Sequence, residues 1–577
     1  MKVLKKVVLL LSSVVFFVLL APKSYFALAL FGLFGICVGI QIGSFDLKSK
    51  KLHPVVLIIL IPAACYIAYK AGRSFYAAWP PFGFLSYFAS DPDSFLSLLC
   101  HCGTAASIPA VYVLLCEIVS YFGKIIPIIR KEYSIKPLLS NRSAFAKSAG
   151  IVILNLIAAI ALGVVLLMGA YSLPVEKIDE NVRKSAEILN SEGEYPQIYS
   201  WCTSTLDNQD DSIMLAEAAD DSEGSTLERA LMIYRGRIKG KGTFASFISH
   251  YLAGEEYTHK ISYSRYWHGY HLFLNPLLEI MDYGGIRILN AIVQVSLTVL
   301  ISFLLAKRNA EHFILPYVCT YLMLNPLILG RSMQNSSCFY AFSLGCLALL
   351  LLPAEKRSRY AFLVFLNIGI FTAYFDFLTY PMATFGIPAV LFIALQSGDS
   401  LEKKLNNLIR CGITWCVGYI VMWTSKWILT YLLTGYNTIE EAAGQFSLHT
   451  ANTLYTGKAV STAGIISMNY KAFLFNPAMI ICALLIVFLI QKIKASKLVD
   501  SNKLLSTAVP YTLLSFAPAV WYAFATQHSS FVHMTNKAAS VTLMAILCCL
   551  TDLRSRAVNS KQQRRPIIEV SLQFRAR

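Results

Sequence analysis

Three carboxylates fall within five positions of this chain, in Leu206-Asp207-Asn208-Gln209-Asp210-Asp211-Ser212. Crowded carboxylates raise one another's pKa, and one so raised can take a proton from a hydroxyl near neutral pH. The same oxygens could hold a divalent cation. A plainer reading stands beside these: Asp210 or Asp211 caps a helix that begins at Ser212. A second group, Ser264-Arg265-Tyr266-Trp267-His268-Gly269-Tyr270, sets Arg265 and His268 among aromatic rings. That chemistry suits a phosphate at headgroup depth, and equally an aromatic belt with a snorkelling cation. Asp376, in Tyr374-Phe375-Asp376-Phe377, is a carboxylate at the end of an apolar block, where charge is costly and functional by default. His528 and His533 bracket a short turn and could bind phosphate or move protons, or sit as interfacial imidazoles. Arg331 is a further candidate for a phosphate contact, since a guanidinium fork matches two oxygens.

What must position these residues is a set of apolar blocks. The 577 residues are 56% hydrophobic and only 14% charged, too little polar surface to cover a soluble core of that size. The blocks run close to the twenty or so residues that span a bilayer, and without water each must satisfy its own backbone as helix. They fall near 4–22, 25–43, 54–71, 104–123, 147–172, 286–305, 313–329, 336–353, 360–378, 382–396, 409–433, 470–490, 505–525 and 534–551. An all-α integral membrane bundle of about 14 transmembrane helices is therefore expected.

The net charge of +17 is spread in short basic runs between blocks, as in Lys48-Ser49-Lys50-Lys51, Lys307-Arg308, Lys356-Arg357 and Lys492-Ile493-Lys494. This is the positive-inside pattern of cytoplasmic connectors, not a nucleic-acid surface. Met1 to Lys6 resembles a signal peptide without a clear cleavage site, and reads as the start of the first membrane helix. Both termini are then cytoplasmic. Loops 73–103, 174–270 and 434–469 lie outside, and the largest should hold short helices, some flat on the membrane, rather than a separate domain. Ser225-Thr226-Leu227-Glu228 reads as a capping box for a helix through about Tyr234. Gly236-Arg237-Ile238-Lys239-Gly240-Lys241-Gly242 is one residue short of a P-loop and ends on glycine where Ser or Thr is needed. Cys100-His101-Cys102 has no matching ligand pair at metal spacing, and most of the 14 cysteines lie inside apolar blocks as small hydrophobes.

The ordered set of these segments resembles a bacterial family of polytopic membrane glycosyltransferases of the C-type fold, the GT-C class. The resemblance covers about 147–540. It rests on a membrane helix, a long loop with LDNQDDSIML, SRYWHGY leading to the helix start at Arg287–Asn290, then SMQNSSCFY (332–340), YFDFLTYP (374–381) and WYAFATQHSSFVH (521–533). It implies a GT-C-like core over 147–577 and a four-helix module over 1–146 with no assigned role. It further implies inverting transfer of a sugar from a polyprenyl-phosphate donor to a cell-envelope glycan acceptor at the outer face of a bacterial plasma membrane. Asp207 or Asp211 would be the base, with Asp210 a third candidate, and Arg265, His268, Arg331, Asp376, His528 and His533 would bind substrate. A divalent cation is an open possibility; no nucleic acid is expected. The chain has Gln527-His528-Ser529 where related sequences read Asn-His-Ser. The rival reading is a transporter or lipid-linked-sugar flippase, for which Lys426 is the best intramembrane charge; a third is a scaffold without chemistry.

Overall fold

The computed structural model describes residues 142–198, 202–396, 398–454, 456–496 and 501–555. The first four apolar blocks, loop 73–103, Cys100-His101-Cys102 and the basic tail lie outside the described residues. The remaining ten blocks all fall on helix. Six helices among the described residues are long and apolar enough to cross a membrane: Ser148–Tyr171, Tyr283–Lys307, Met333–Leu351, Ala354–Phe375, Leu401–Thr434 and Val532–Ser555. The structure is thus a helical bundle of membrane-spanning dimensions.

Four blocks expected as simple spans are shorter or broken, each for a local reason. The 313–329 block splits into Ile314–Met323 and Pro326–Leu329 around Asn325, which adopts a left-handed φ of 61°. A proline biases the residue before it away from the helical region, so the break falls there. Met382–Ala394 has 13 residues, about 20 Å at 1.5 Å per residue, short of a hydrocarbon core. Thr462–Leu474 and Met479–Ile493 meet at 92°, across Phe475-Asn476-Pro477. The 505–525 block divides into Ser501–Ser515 and Ala517–Phe524, with Pro518 in the first turn of the second piece.

The helices Ala354–Phe375 and Leu401–Thr434 pack along one another, and two glycines set how near they come. A Cβ at Gly369 would overlap the Trp415 carbonyl oxygen, and one at Gly418 would overlap the Leu366 carbonyl oxygen. Backbone meets backbone reciprocally, as small residues allow in apolar bundles. Leu401–Thr434 is capped at both ends: the Ser400 side chain accepts from the Lys403 N–H, and Gly435 closes it with φ 73°.

Residues 175–282 form a folded layer over one end of the bundle, more organised than the flat helices expected. The helix Val175–Glu192 buries Ile178, Val182, Ala186 and Leu189 along one face. They join Ile213, Met214, Leu215, Phe247 and Tyr251 in a core separate from that of the bundle. The chain is also not wholly α: Tyr234–Arg237 pairs antiparallel with His259–Ser262. Ser225 caps a helix as expected, but that helix stops at Met232, because Ile233 turns left-handed (φ 50°) and Tyr234 enters the strand.

Gly369→Val should lower unfolding stability in detergent by about 1–3 kcal/mol or more, the usual cost of overpacking. Gly150, with nothing within 4 Å of a built Cβ, should accept alanine without loss. Equal melting of Gly369→Val and wild type would show that the helices do not need this close approach.

Candidate functional site

The carboxylate cluster begins a helix earlier than the Ser212 start considered above. Asp207 is itself the N-cap of Asn208–Ala218: its Oδ1 accepts from the Asp210 N–H at 3.1 Å. Neither Asp210 nor Asp211 caps; both lie in the first turn, where a helix dipole favours negative charge. The other Asp207 oxygen, Oδ2, lies 3.0 Å from His533 Nε2. A carboxylate oxygen facing a ring nitrogen at that distance accepts its proton, which fixes Nε2–H and leaves Nδ1 as the basic nitrogen when the ring is neutral.

Asp210, half-buried, accepts from Gln334 Nε2. Burial first, then the neighbouring Asp207 and Asp211, pushes its carboxyl well above the usual range. Asp211 is enclosed. Arg287 Nη2 stands 3.8 Å from its Oδ2, and that guanidinium is already held by Glu192 (2.7 Å) and by the Asn208 side-chain oxygen (3.0 Å). Burial raises Asp211 to about 7, against the downward pull of Arg287 and Tyr283.

The remaining candidates divide. Asp376 caps its own turn, accepting from the Thr379 N–H at 3.0 Å and from its hydroxyl at 2.5 Å. Burial still lifts it to about 6. The Thr379 hydroxyl oxygen also lies 3.5 Å from the Gln334 carbonyl oxygen, so this turn abuts the Asp210 partner. His528 donates Nε2–H to the Leu378 carbonyl, while its Nδ1 is buried without a hydrogen-bond partner. Burial pushes it down to about 3, with His449 adding to the effect. Leu378 itself has φ 76°, a left-handed conformation costly for a branched residue. Arg265 is paired: Nη1 lies 2.6 Å from Glu441 Oε1, and its guanidinium sits 4.3 Å from the Tyr263 ring centroid. Its carbonyl accepts from both Trp423 and Trp427 at 2.8 Å. Arg331 is exposed and takes no part in this network among the described residues. His268 is fully enclosed and belongs to a neighbouring cluster with Glu217. Lys426, the intramembrane charge, donates to the Ala230 carbonyl at 2.8 Å. It therefore braces the loop layer rather than standing at mid-membrane.

The structure therefore brings Asp207, Asp210, Asp211 and His533 together, sets Asp376 and His528 on the adjoining turns, and leaves Arg331 apart. Gln334, Arg287, Glu192, Glu441, Glu217 and His271 are partners that the sequence reading did not assign. Only Arg287 carried a signal, a charge five residues into an apolar helix. Chemically, the arrangement offers a carboxylate–imidazole pair able to take a proton, beside a carboxyl that burial and two neighbouring carboxylates hold above its usual range. Comparison of the chain with protein-family models, with curated proteins and with solved structures finds no match.

Asp211 yields a pH dependence. Its folded pKa, about 7, lies above the value near 3.9 of an unfolded aspartate, so ionisation favours unfolding. Its contribution is fully present below about pH 4 and is lost as pH rises through 7, on the order of a few kcal/mol. Melting temperature should fall from pH 6 to 8.5, and Asp211→Asn should flatten that slope. An unchanged slope in Asp211→Asn would assign the dependence elsewhere.

Proposed function

We propose that this chain is a membrane glycosyltransferase of the GT-C kind, working at the extracytoplasmic face on a polyprenyl-phosphate sugar and a cell-envelope glycan acceptor. The observation that carries the reading is the 3.0 Å contact between Asp207 and His533, made at the polar head of an apolar bundle. A sugar acceptor is a poor nucleophile until its hydroxyl gives up a proton. The Asp207–His533 pair takes that proton as the acceptor oxygen bonds to the anomeric carbon, with inversion. The bond from that carbon to the phosphate oxygen breaks, and the electron pair leaves on the lipid phosphate. Asp210, beside the pair, orients a sugar hydroxyl. Asp211, enclosed with Arg287, positions the helix rather than touching substrate.

The leaving phosphate needs a cation whose hold strengthens as charge grows, since only that difference raises the rate. Arg265, flanked by the Tyr263 and Tyr266 rings, is the candidate cation. Glu441 holds it at rest, so the phosphate must displace that carboxylate. A lipid donor explains why polar chemistry sits at the end of an apolar bundle: the tail stays in hydrocarbon while the sugar reaches the head.

Release of polyprenyl phosphate from labelled donor, with the full chain in nanodiscs and an envelope-glycan fraction as acceptor, tests the reading. Asp207→Asn should lower transfer by about 10²–10⁴-fold, the usual worth of a positioned base. Asp211→Asn should lose far less. Undiminished transfer in Asp207→Asn would remove the base from this pair. Orientation is checked separately: a cysteine at the exposed Glu223 should react with a membrane-impermeant thiol reagent in intact cells. Labelling only after permeabilisation would reverse the topology.

A further inference from the structure

Ten residues beyond Asp207, at the other end of the same helix, lies a cluster that the transfer reaction does not use. Glu217, His268 and His271 are all buried, and one ligand-type atom from each lies within 4.8 Å of the others. Their outer hydrogen bonds fix their protonation. His268 Nε2 faces the Tyr263 carbonyl at 2.9 Å, so it must donate. The Asn275 amide nitrogen donates to the Ala170 carbonyl, which turns its oxygen toward His271 Nδ1 at 2.9 Å, so Nδ1 donates as well. In the neutral rings, His268 Nδ1 and His271 Nε2 therefore carry lone pairs. Both point at the same oxygen, Glu217 Oε2, at 3.2 and 3.5 Å.

Three acceptors thus converge on one point. Tyr270 brings a single proton, with its hydroxyl 2.6 Å from His268 Nδ1 and 2.8 Å from Glu217 Oε2. One proton cannot satisfy all three, and Glu217 Oε1 is buried without a hydrogen-bond partner. A cation among them, or one further proton, completes the set, and Arg235 Nη1 stands 3.6 Å from Glu217 Oε1.

We propose that Glu217, His268 and His271 bind a zinc-class dication. Four ligands at 2.0–2.1 Å in a tetrahedron lie about 3.3 Å apart; the two Glu217–His separations, 3.2 and 3.5 Å, bracket that spacing, and all three ligand atoms lie within 4.8 Å of one another. The Tyr263 and Asn275 contacts are the outer bonds that hold metal-bound imidazoles in their tautomers. Tyr270 supplies the fourth donor after drawing back by about half an ångström. Two imidazoles and one carboxylate favour zinc over calcium or magnesium, which prefer oxygen. Arg235, whose Nη1 stands 3.6 Å from Glu217 Oε1, opposes the cation from the far side. Full enclosure makes the role structural: the metal ties the Asn208–Ala218 helix to the turn entering His271–Leu278.

The full chain, purified in detergent without chelator and incubated with zinc before desalting, should retain about one zinc per chain by mass spectrometry. Its melting temperature should rise with added zinc, because a ligand of the folded state stabilises it by mass action. Cobalt should give the strong visible bands of a tetrahedral site. Glu217→Gln and His271→Gln should lose the zinc and the bands, and Asp207→Asn should keep both. Wild type with no retained zinc, no cobalt bands and no thermal shift would overturn the site, as would full retention in both ligand variants. None of these readouts uses transfer, so failure here leaves the transferase reading standing, and the reverse holds.

Discussion

An eleven-residue helix carries its carboxylates into the head of an apolar bundle, and the rest of the polar layer is arranged around answering them. Asp207, Asp211 and Glu217 are buried, where an unanswered charge costs several kcal/mol. Each is met from elsewhere in the chain: Asp207 by His533, Asp211 by Arg287, Glu217 by Arg235 and the Tyr270 hydroxyl. Asp210 adds Gln334 at the start of another membrane-length helix. One short helix is thereby bonded to segments spread from Arg235 to His533.

The bundle beneath obeys a different rule. Its helices have no water to bond with, so they pack by surface shape, and the glycines of Ala354–Phe375 and Leu401–Thr434 let carbonyl lie on backbone. Leu401–Thr434 also crosses between the two regimes. Its lower part packs apolar faces, and near its upper end Trp423 and Trp427 donate to the Arg265 carbonyl while Lys426 donates to that of Ala230. Indole and ammonium groups at that depth are the joint between the bundle and the polar layer.

The helices were legible because hydropathy sums over many residues and a bilayer demands a fixed length. Breaks at Asn325, Pro477 and Pro518 were not, since a proline inside an apolar run bends the chain without altering its mean hydropathy. The hairpin was hidden for a related reason: its four-residue strands are too short for alternation to show. Of the site, the Asp207–Asp211 cluster and His533 could be named separately, because charge in an apolar chain is conspicuous. Their pairing could not, since nothing local in Val532-His533-Met534 says which carboxylate it faces. Arg265 shows the converse: its type suggested an anion, and the anion it holds at rest is Glu441, in the first turn of a helix 176 residues away.

The same separation sets a schedule for biogenesis. His533 lies 326 positions after Asp207. A ribosome adding roughly 5–20 residues per second reaches it between a quarter of a minute and a minute after Asp207 is made. Throughout that interval the head of the helix has neither His533 nor Gln334's neighbour Met534 against it, and Asp207 must stay hydrated. Closure of the polar layer is therefore a late, post-insertion event, decided by the arrival of the last described helix. A chain truncated before residue 532 would enter the membrane with most of its described helices in place and its head unsealed.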